Sequence, residues 1–485
     1  MIPELIYGGY LLGQYIYHRV TEVEPGPPKD FIEYPRSEEG EPVPLLFGRY
    51  RIQRSIVAWS GGQQRALSGT SPTGNTYKLN VLRAEAIPFY EGTVQFCNAW
   101  IGDRDTNGFI PGSPGSAALG FQSVVNTGVG ATDPDHTELL CEFGDGRATQ
   151  DMSTGTFTAG HMNADGITSV NIPGFRGYVT IGMEVLRYTS SLPEISFEIA
   201  SYPKNPNPYY TGAVSDRILL DANPVDVIAA VLCDQFGKLG RSPAQVIDAS
   251  SFAVAHQTLK AEGLGYSRCW EARTPGRDIV EDVLRLVDGV LYQEPRTGRY
   301  CIKLIRADFV PGDLFSIQPG NCVDVTNASL VGFTDAPNKI QVVYANRSDA
   351  YRNATESAQN QANAVGQDGE VNELVLQFLS CTTAENAKKL AARELAARSK
   401  PMLRCRAEVD RSAWNVRVGD AVRLTWPDLN CSNLVMRVAA ESRSTHNSNT
   451  VLLDLIQDYF YVYRGAVVQT VPVAPFPGSG GVFGG

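Results

Sequence analysis

The apolar residues of this chain come in short runs, and glycine, proline or another turn-forming residue interrupts nearly every one. With 46 glycines and 29 prolines among 485 residues, the chain is suited to many turns and short strands rather than long helices. That length corresponds to about three domains at roughly 150 residues each. Pieces of that size bury about 70% of their unfolded surface, so none needs a disulfide or a metal to fold.

Local patterns divide the chain into five segments. Residues 1–40 run into the Pro- and charge-rich stretch TEVEPGPPKDFIEYPRSEEGEP and read as an extended arm or a surface loop. Residues 41–213 read as a loop-rich β domain. After Gly48, Tyr50, Ile52, Ile56 and Ala58 alternate with Arg49, Arg51 and Gln53, as in a half-buried strand pair. Two further strand-like runs lie in 172–200. Residues 214–310 change character and read as an α+β domain. Asn223 is an N-cap, Pro224 a first helical residue and Asp226 a first-turn acid, ahead of an apolar stripe at 225, 228, 229, 232 and 236. A second helix is expected over 251–263 and a third from Thr274 as cap with Pro275 first, followed by a β-hairpin turning at Arg296–Gly298. Residues 311–464 return to strands, interrupted by one long helix for which Thr382 and Glu385 form a capping box. Residues 465–485 are Val/Pro- and then Gly-rich, a composition that does not bury enough surface to fold alone. The borders are working cuts, because barrels can be assembled from non-contiguous segments.

A net charge of −10 repels phosphate and argues against specific duplex-DNA binding, though it suits an acidic wall that DNA slides past as well as plain solubility. The nine cysteines contain no close pair and several sit in apolar runs, which points to buried free thiols made in a reducing cytoplasm. Five scattered histidines offer no metal-ligand spacing. The N-terminal MIPELIYGGYLLGQYIYHRV lacks a basic start and is broken by Gly8, Gly9, Gly13 and Gln14, so neither a signal peptide nor a membrane span is expected there.

Enzyme signatures are missing: there is no HExxH, GxSxG, GxxxxGK or GxGxxG opening a helix. No catalytic residue, cofactor or metal is assigned. The sharpest local pattern is DRDTNG at 103–108, where Asp103, Asp105, Asn107 and Gly108 match the first half of a calcium loop. Position twelve is Pro114 rather than a bidentate Glu, and the same residues simply make turns, so the turn reading is favoured. Core packing is the better reading for most of Trp59, Trp100, Trp270, Trp414 and Trp426. Arg49, Arg51 and Arg54 read as the solvent or interface face of a strand rather than a phosphate grip.

Four stretches, in order, resemble the central hub, or host-specificity, proteins of long-tailed phages and gene transfer agents. The first is GEPVPLLFGRYRIQRSIVAW, with Gly40, Pro44, Gly48, Arg51 and Trp59 in the family's pattern. The second holds Phe175 to Tyr178 and, further on, Leu192 to Glu198. The third is the helical block from NPVDVIAAVL to EPRTGRY, and the fourth is the closing VRVGDAVRLTW…TVLLDLIQDYF with its Gly419–Asp420 turn.

The resemblance implies a β-rich, multidomain α+β chain: two β-barrel-like hub domains with an α+β insert between them. It implies a homotrimeric ring at the virion's tail tip, contacting the distal tail protein, tail tube and tape-measure protein and opening for DNA ejection. The C-terminal tail would dock a fibre or spike protein. The chain stops soon after its last barrel, which argues against direct receptor binding. Three other readings compete: a receptor-binding tail-tip protein, a tail-associated cell-wall hydrolase, and an unrelated β-rich protein.

Overall fold

A computed structural model describes residues 41–66, 76–88, 94–101, 104–105, 120–124, 137–146, 175–187, 194–203, 217–234, 240–330, 336–400, 402–443 and 449–460. The expectations for residues 1–40 and 465–485 lie outside these residues. The fold is β-rich with a few helices, as the sequence predicts.

Nine strands open the chain: β1 (Leu45–Ile52), β2 (Ile56–Ala66), β3 (Thr76–Ala86), β4 (Gln95–Ile101), β5 (Arg104–Asp105), β6 (Gly120–Val124), β7 (Thr137–Asp145), β8 (Val179–Arg187) and β9 (Ile195–Ser201). One antiparallel sheet has the order β2-β3-β8-β7-β6, and a second contains β1-β9-β4-β5. Their facing side chains, among them Leu46, Ile52, Val81, Ile181, Met183, Phe197 and Ile199, form one apolar core. β9 is buried on both faces. Side chains alternate along a strand, so Phe197 and Ile199 enter that core while Ser196, Glu198 and Ala200 face the other way.

The next segment holds α1 (Pro224–Leu232), α2 (Pro243–Val246), α3 (Ala249–Glu262), β10 (Arg268–Trp270), α4 (Gly276–Val287) and the hairpin β11 (Gly289–Gln293) and β12 (Tyr300–Leu304). α1 starts as its sequence predicts, with the Asn223 side chain accepting from the Val225 amide at 3.0 Å. The hairpin turns through Gly298 at φ +69°, whose amide donates to the Glu294 carbonyl. α4 departs from expectation: Pro275 itself occupies the cap position, and Thr274 donates to the Ala272 carbonyl instead of capping. β10 pairs antiparallel with β1 and so stitches this segment onto the edge of the second sheet.

Two β units complete the described chain. β13 (Phe315–Ile317), β14 (Cys322–Leu330), β18 (Leu403–Asp410), β19 (Ala421–Trp426), β20 (Cys431–Arg443) and β21 (Thr450–Gln457) form a six-stranded sheet. Its order is β13-β19-β20-β21-β18-β14, and it has a core of its own. Between β14 and β18 the chain makes β15 (Lys339–Asn346), β16 (Arg352–Gln359), α5 (Gln361–Gly366), β17 (Glu373–Gln377) and α6 (Ala384–Arg398). These three strands form a sheet in the order β16-β15-β17, with β17 parallel to β15. α6 packs on β15 and β16. The buried Ile340, Val342, Tyr344, Phe378, Leu390 and Ala391 share one core with Val225, Ile228, Phe252, Ile279, Val283 and Ile302. That core therefore runs across the 310/311 cut, and the long helix belongs to it rather than to the six-stranded sheet. The α6 cap also shifts by one residue, since Thr383 rather than Thr382 accepts from the Asn386 amide. Two adjacent threonines fit the capping template almost equally, and Thr382 is held elsewhere.

Phe252 is buried at the centre of the shared core. Phe252→Ala is expected to cost about 3–5 kcal/mol. Chemical denaturation checks this: the midpoint should fall with the slope unchanged.

Candidate functional site: a buried polar junction

The second face of β9 meets the other segments through a chain of buried polar groups. Asp221, 4% exposed, is its centre. Its Oδ1 accepts from the Ser267 hydroxyl at 2.5 Å and the Thr382 hydroxyl at 3.1 Å, and it pairs with the Arg347 guanidinium. Arg347 Nε also donates to the Tyr351 hydroxyl at 3.3 Å. That hydroxyl lies 2.6 Å from Glu198 Oε1 and 3.0 Å from the Arg49 carbonyl. Glu198 Oε2 in turn takes Arg49 Nη2 at 2.6 Å. One step along β1, Arg51 donates to Ser196 at 2.7 Å and stacks over Trp100 with its guanidinium 4.9 Å from the ring centre. Two carboxylates and two guanidiniums, all at least partly buried, thus neutralise one another across four stretches of chain.

Backbone geometry makes room for this. Gly48 has φ +71°, and a Cβ there would lie 2.2 Å from Ser267 Oγ and 2.7 Å from the Tyr266 carbonyl. Only glycine takes that conformation and that approach together. Ser267 can therefore accept from the Arg49 amide at 3.1 Å while donating to Asp221. A Cβ on Gly265 would fall 2.3 Å from Asp221 Cβ. Burial, and then the Glu198 carboxylate, push the Tyr351 hydroxyl well above its ordinary value, so it stays a neutral donor. Burial works against the Arg49 charge, but the hydrogen bond to Glu198 and the surrounding groups outweigh it and hold the guanidinium charged. Each acid meets several donors, and the arrangement positions elements rather than activating a nucleophile.

A second feature is an open cleft of about 450 Å³ lined by residues including Lys303, Phe309, Phe315, Asp420, Val422 and Arg437. Lys303 pairs with Asp420 at 2.5 Å, and Arg417 donates to both oxygens of Glu294 at 3.1 and 3.2 Å. Arg437 pairs with the buried Asp458 at 2.6 Å and donates to the Arg306 carbonyl at 3.1 Å. These contacts fasten the β11–β12 hairpin and the loop that follows it to the six-stranded sheet.

The residues singled out from sequence fall as follows. Asp103 and Asn107 lie outside the described residues, and Asp105 pairs with Trp100 through the backbone of β5. Among the described residues no group of three or more His, Cys, Asp or Glu side chains is placed to hold a metal. Arg49 and Arg51 form an interface within the chain, and only the amide of Arg54 is engaged there, by Glu271 at 3.1 Å. Trp100 is buried, whereas Trp414 is 51% exposed under the Arg443 guanidinium. Cys97, Cys233, Cys269, Cys301, Cys322, Cys381, Cys405 and Cys431 are free thiols. Gly419 turns at φ +85° ahead of β19, with Asp420 accepting from the Arg417 amide at 2.8 Å. Sequence reasoning missed Asp221, Ser267, Arg347, Tyr351 and the role of Thr382, which no local pattern marks.

Arg347→Met would strand the Asp221 carboxylate and is expected to cost about 3–5 kcal/mol. Tyr351→Phe removes one neutral donor and should cost about 1–3 kcal/mol. Pairing Arg347→Met with Asp221→Asn should recover part of the first loss. Equilibrium denaturation of the four chains measures this, and single costs below about 1 kcal/mol would remove the junction from its role.

Comparison with known proteins agrees with the resemblance read from the sequence. No curated protein matches the chain. A 43 kDa tail protein of prophage MuSo2 from Shewanella oneidensis is 13% identical at a TM-score of 0.30, covering 86% of this chain and 98% of its own. A tail protein from Neisseria meningitidis MC58 is 7% identical at a TM-score of 0.33, covering 86% and 96%. A chain in the virion of a native gene transfer agent particle is 15% identical, covers 93% of each chain and gives a TM-score of 0.52, a shared fold. Residues 275–440 match the family described as "Putative phage tail protein", and over this stretch the chain resembles phage tail proteins in sequence.

Proposed function

We propose that the chain is a structural protein of a phage tail, the central hub of its tip, and not an enzyme. In this reading three copies form a ring below the tail tube and distal tail protein and around the end of the tape-measure protein. The ring closes the tube and joins it to a fibre or spike protein, and it opens for DNA ejection. The observation that carries the reading is the fold shared along 93% of both chains with a gene transfer agent virion component. The match of residues 275–440 to a phage tail family supports it from sequence.

The physics of the chain suits the role. A gate that opens by moving subunits needs each subunit to move as one body. The junction of Asp221, Arg347, Tyr351, Glu198 and Arg49 adds directional bonds among β1, β9, the turn at 221 and the end of β15 to the apolar core that these segments share. A net charge of −10 leaves passing DNA little to hold. In the described residues no helix is long and apolar enough to cross a membrane.

Light scattering with negative-stain electron microscopy tests the proposal. The purified chain, alone or mixed with its distal tail protein, is expected to give three chain masses and a ring. A monomer under both conditions would contradict it.

A further inference from the structure

The six-stranded sheet keeps its core to itself. Ile317, Ala407, Val422, Met436 and Leu453 pack within it, whereas the core shared by the helices and the three-stranded sheet ends at Leu304 on one side and resumes at Ile340 on the other. Among the described residues the two cores have no member in common. A polar seam joins the two units. Lys303 of β12 pairs with Asp420 at 2.5 Å, and Glu294, just past β11, takes the Arg417 guanidinium on both oxygens. Arg437 donates to the Arg306 carbonyl, and the Tyr459 hydroxyl donates to Asp288 at 3.2 Å. Gly419 adds an apolar touch, since a Cβ there would lie 3.1 Å from Val290 Cγ2.

Two features make this seam releasable. The cleft of about 450 Å³ opens along it, with Lys303 and Phe309 lining it from one unit and Asn415 and Val422 from the other. Its ties are also within reach of water: the Lys303 and Asp420 side chains are 33% and 30% exposed. Partly exposed pairs hold weakly and lose strength in salt. Two units with separate cores and a polar interface move against one another unless a large apolar contact fuses them. The Asp221 junction is the contrast, because there the polar bonds lie over a shared apolar core. The chain first enters the six-stranded sheet through residues 306–314, which contain the short turn Pro311–Asp313. Gly312 stands in open space, with no atom within 4 Å of where its Cβ would be. A few loop residues of this kind absorb the backbone rotation of a hinge.

We propose that the six-stranded sheet is a second rigid body that swings about residues 306–314, with the Lys303–Asp420 and Glu294–Arg417 pairs as the clasp that holds it against the β11–β12 hairpin. Closed, the clasp makes the sheet follow the welded body. Released, the sheet turns away from the hairpin and the cleft widens. The proposal concerns the chain itself and stands or falls independently of the hub reading.

The test measures distances in the full chain by double electron–electron resonance. Labels are carried on an azide-bearing amino acid, so that the native thiols are untouched. One pair spans the seam, at Val254 on α3 and Val323 on β14, both well exposed. A control pair at Val254 and Val375 of β17 stays within the welded body. Lys303→Met combined with Glu294→Gln opens the clasp from the hairpin side and leaves the six-stranded sheet unaltered. The seam pair is expected to gain a second, longer distance in this variant while the control pair keeps one. Salt at about 1 M, where charges are screened beyond about 3 Å, should lengthen the seam distance in the wild type, which covers the case of a variant that folds poorly. Arg406→Met, which removes a pair with Asp454 inside the six-stranded sheet, should leave both distances as they are. A seam distance unmoved by the clasp variant and by salt overturns the hinge. So does a control distance that lengthens with it, or an Arg406→Met chain that behaves like the clasp variant.

Discussion

A carboxylate taken out of water must find compensating donors, and the fold depends on how Asp221 finds them. Its partners come from three separate stretches: Ser267 ahead of β10, Arg347 after β15 and Thr382 ahead of α6. Satisfying one buried acid therefore fixes where all three stretches run. Through Arg347 and Tyr351 the constraint passes to Glu198 and Arg49, and so to β9 and β1. Apolar residues of similar volume could supply comparable stability at such a seam, but they would permit many orientations. Directional bonds at a glycine-tight contact permit few. We read the junction as the device that sets orientation, with the shared apolar core supplying the free energy.

How much of this the sequence discloses depends on the range of the signal. The start of α1 is legible because Asn223, Pro224 and Asp226 act on backbone groups within one turn. β18 and β19 are legible because one face is apolar and the other is not. β16 carries no such signal, for the converse reason. Its inward residues include Ala354 and Ala358, small enough for the alanine-rich α6 to approach closely, so RNATESAQ carries no hydrophobic alternation. The α6 cap falls one residue later than the local pattern predicts because Thr382 is drawn to Asp221, 161 positions away. The junction is long-range throughout, each member an isolated polar residue in an unremarkable stretch. The hub resemblance was legible as ordered short patterns, among them Gly48, which the structure ties to a close backbone approach.

The consequence for function is mechanical. A chain whose β sandwich, helical segment and three-stranded sheet turn together can transmit a displacement at one surface to another without internal slippage. In the proposed hub, a net charge of −10 would leave a DNA passage little to hold.

Native-state hydrogen exchange of the full chain tests the central claim that the junction welds these stretches into one body. The account predicts that the amides of β1, β9, residues 221–222 and residues 345–347 open together, at one common free energy, and that Arg347→Met lowers all of them by the same amount. Independent opening of the β1–β9 sheet and the β15 region, with Arg347→Met felt on one side only, would contradict it.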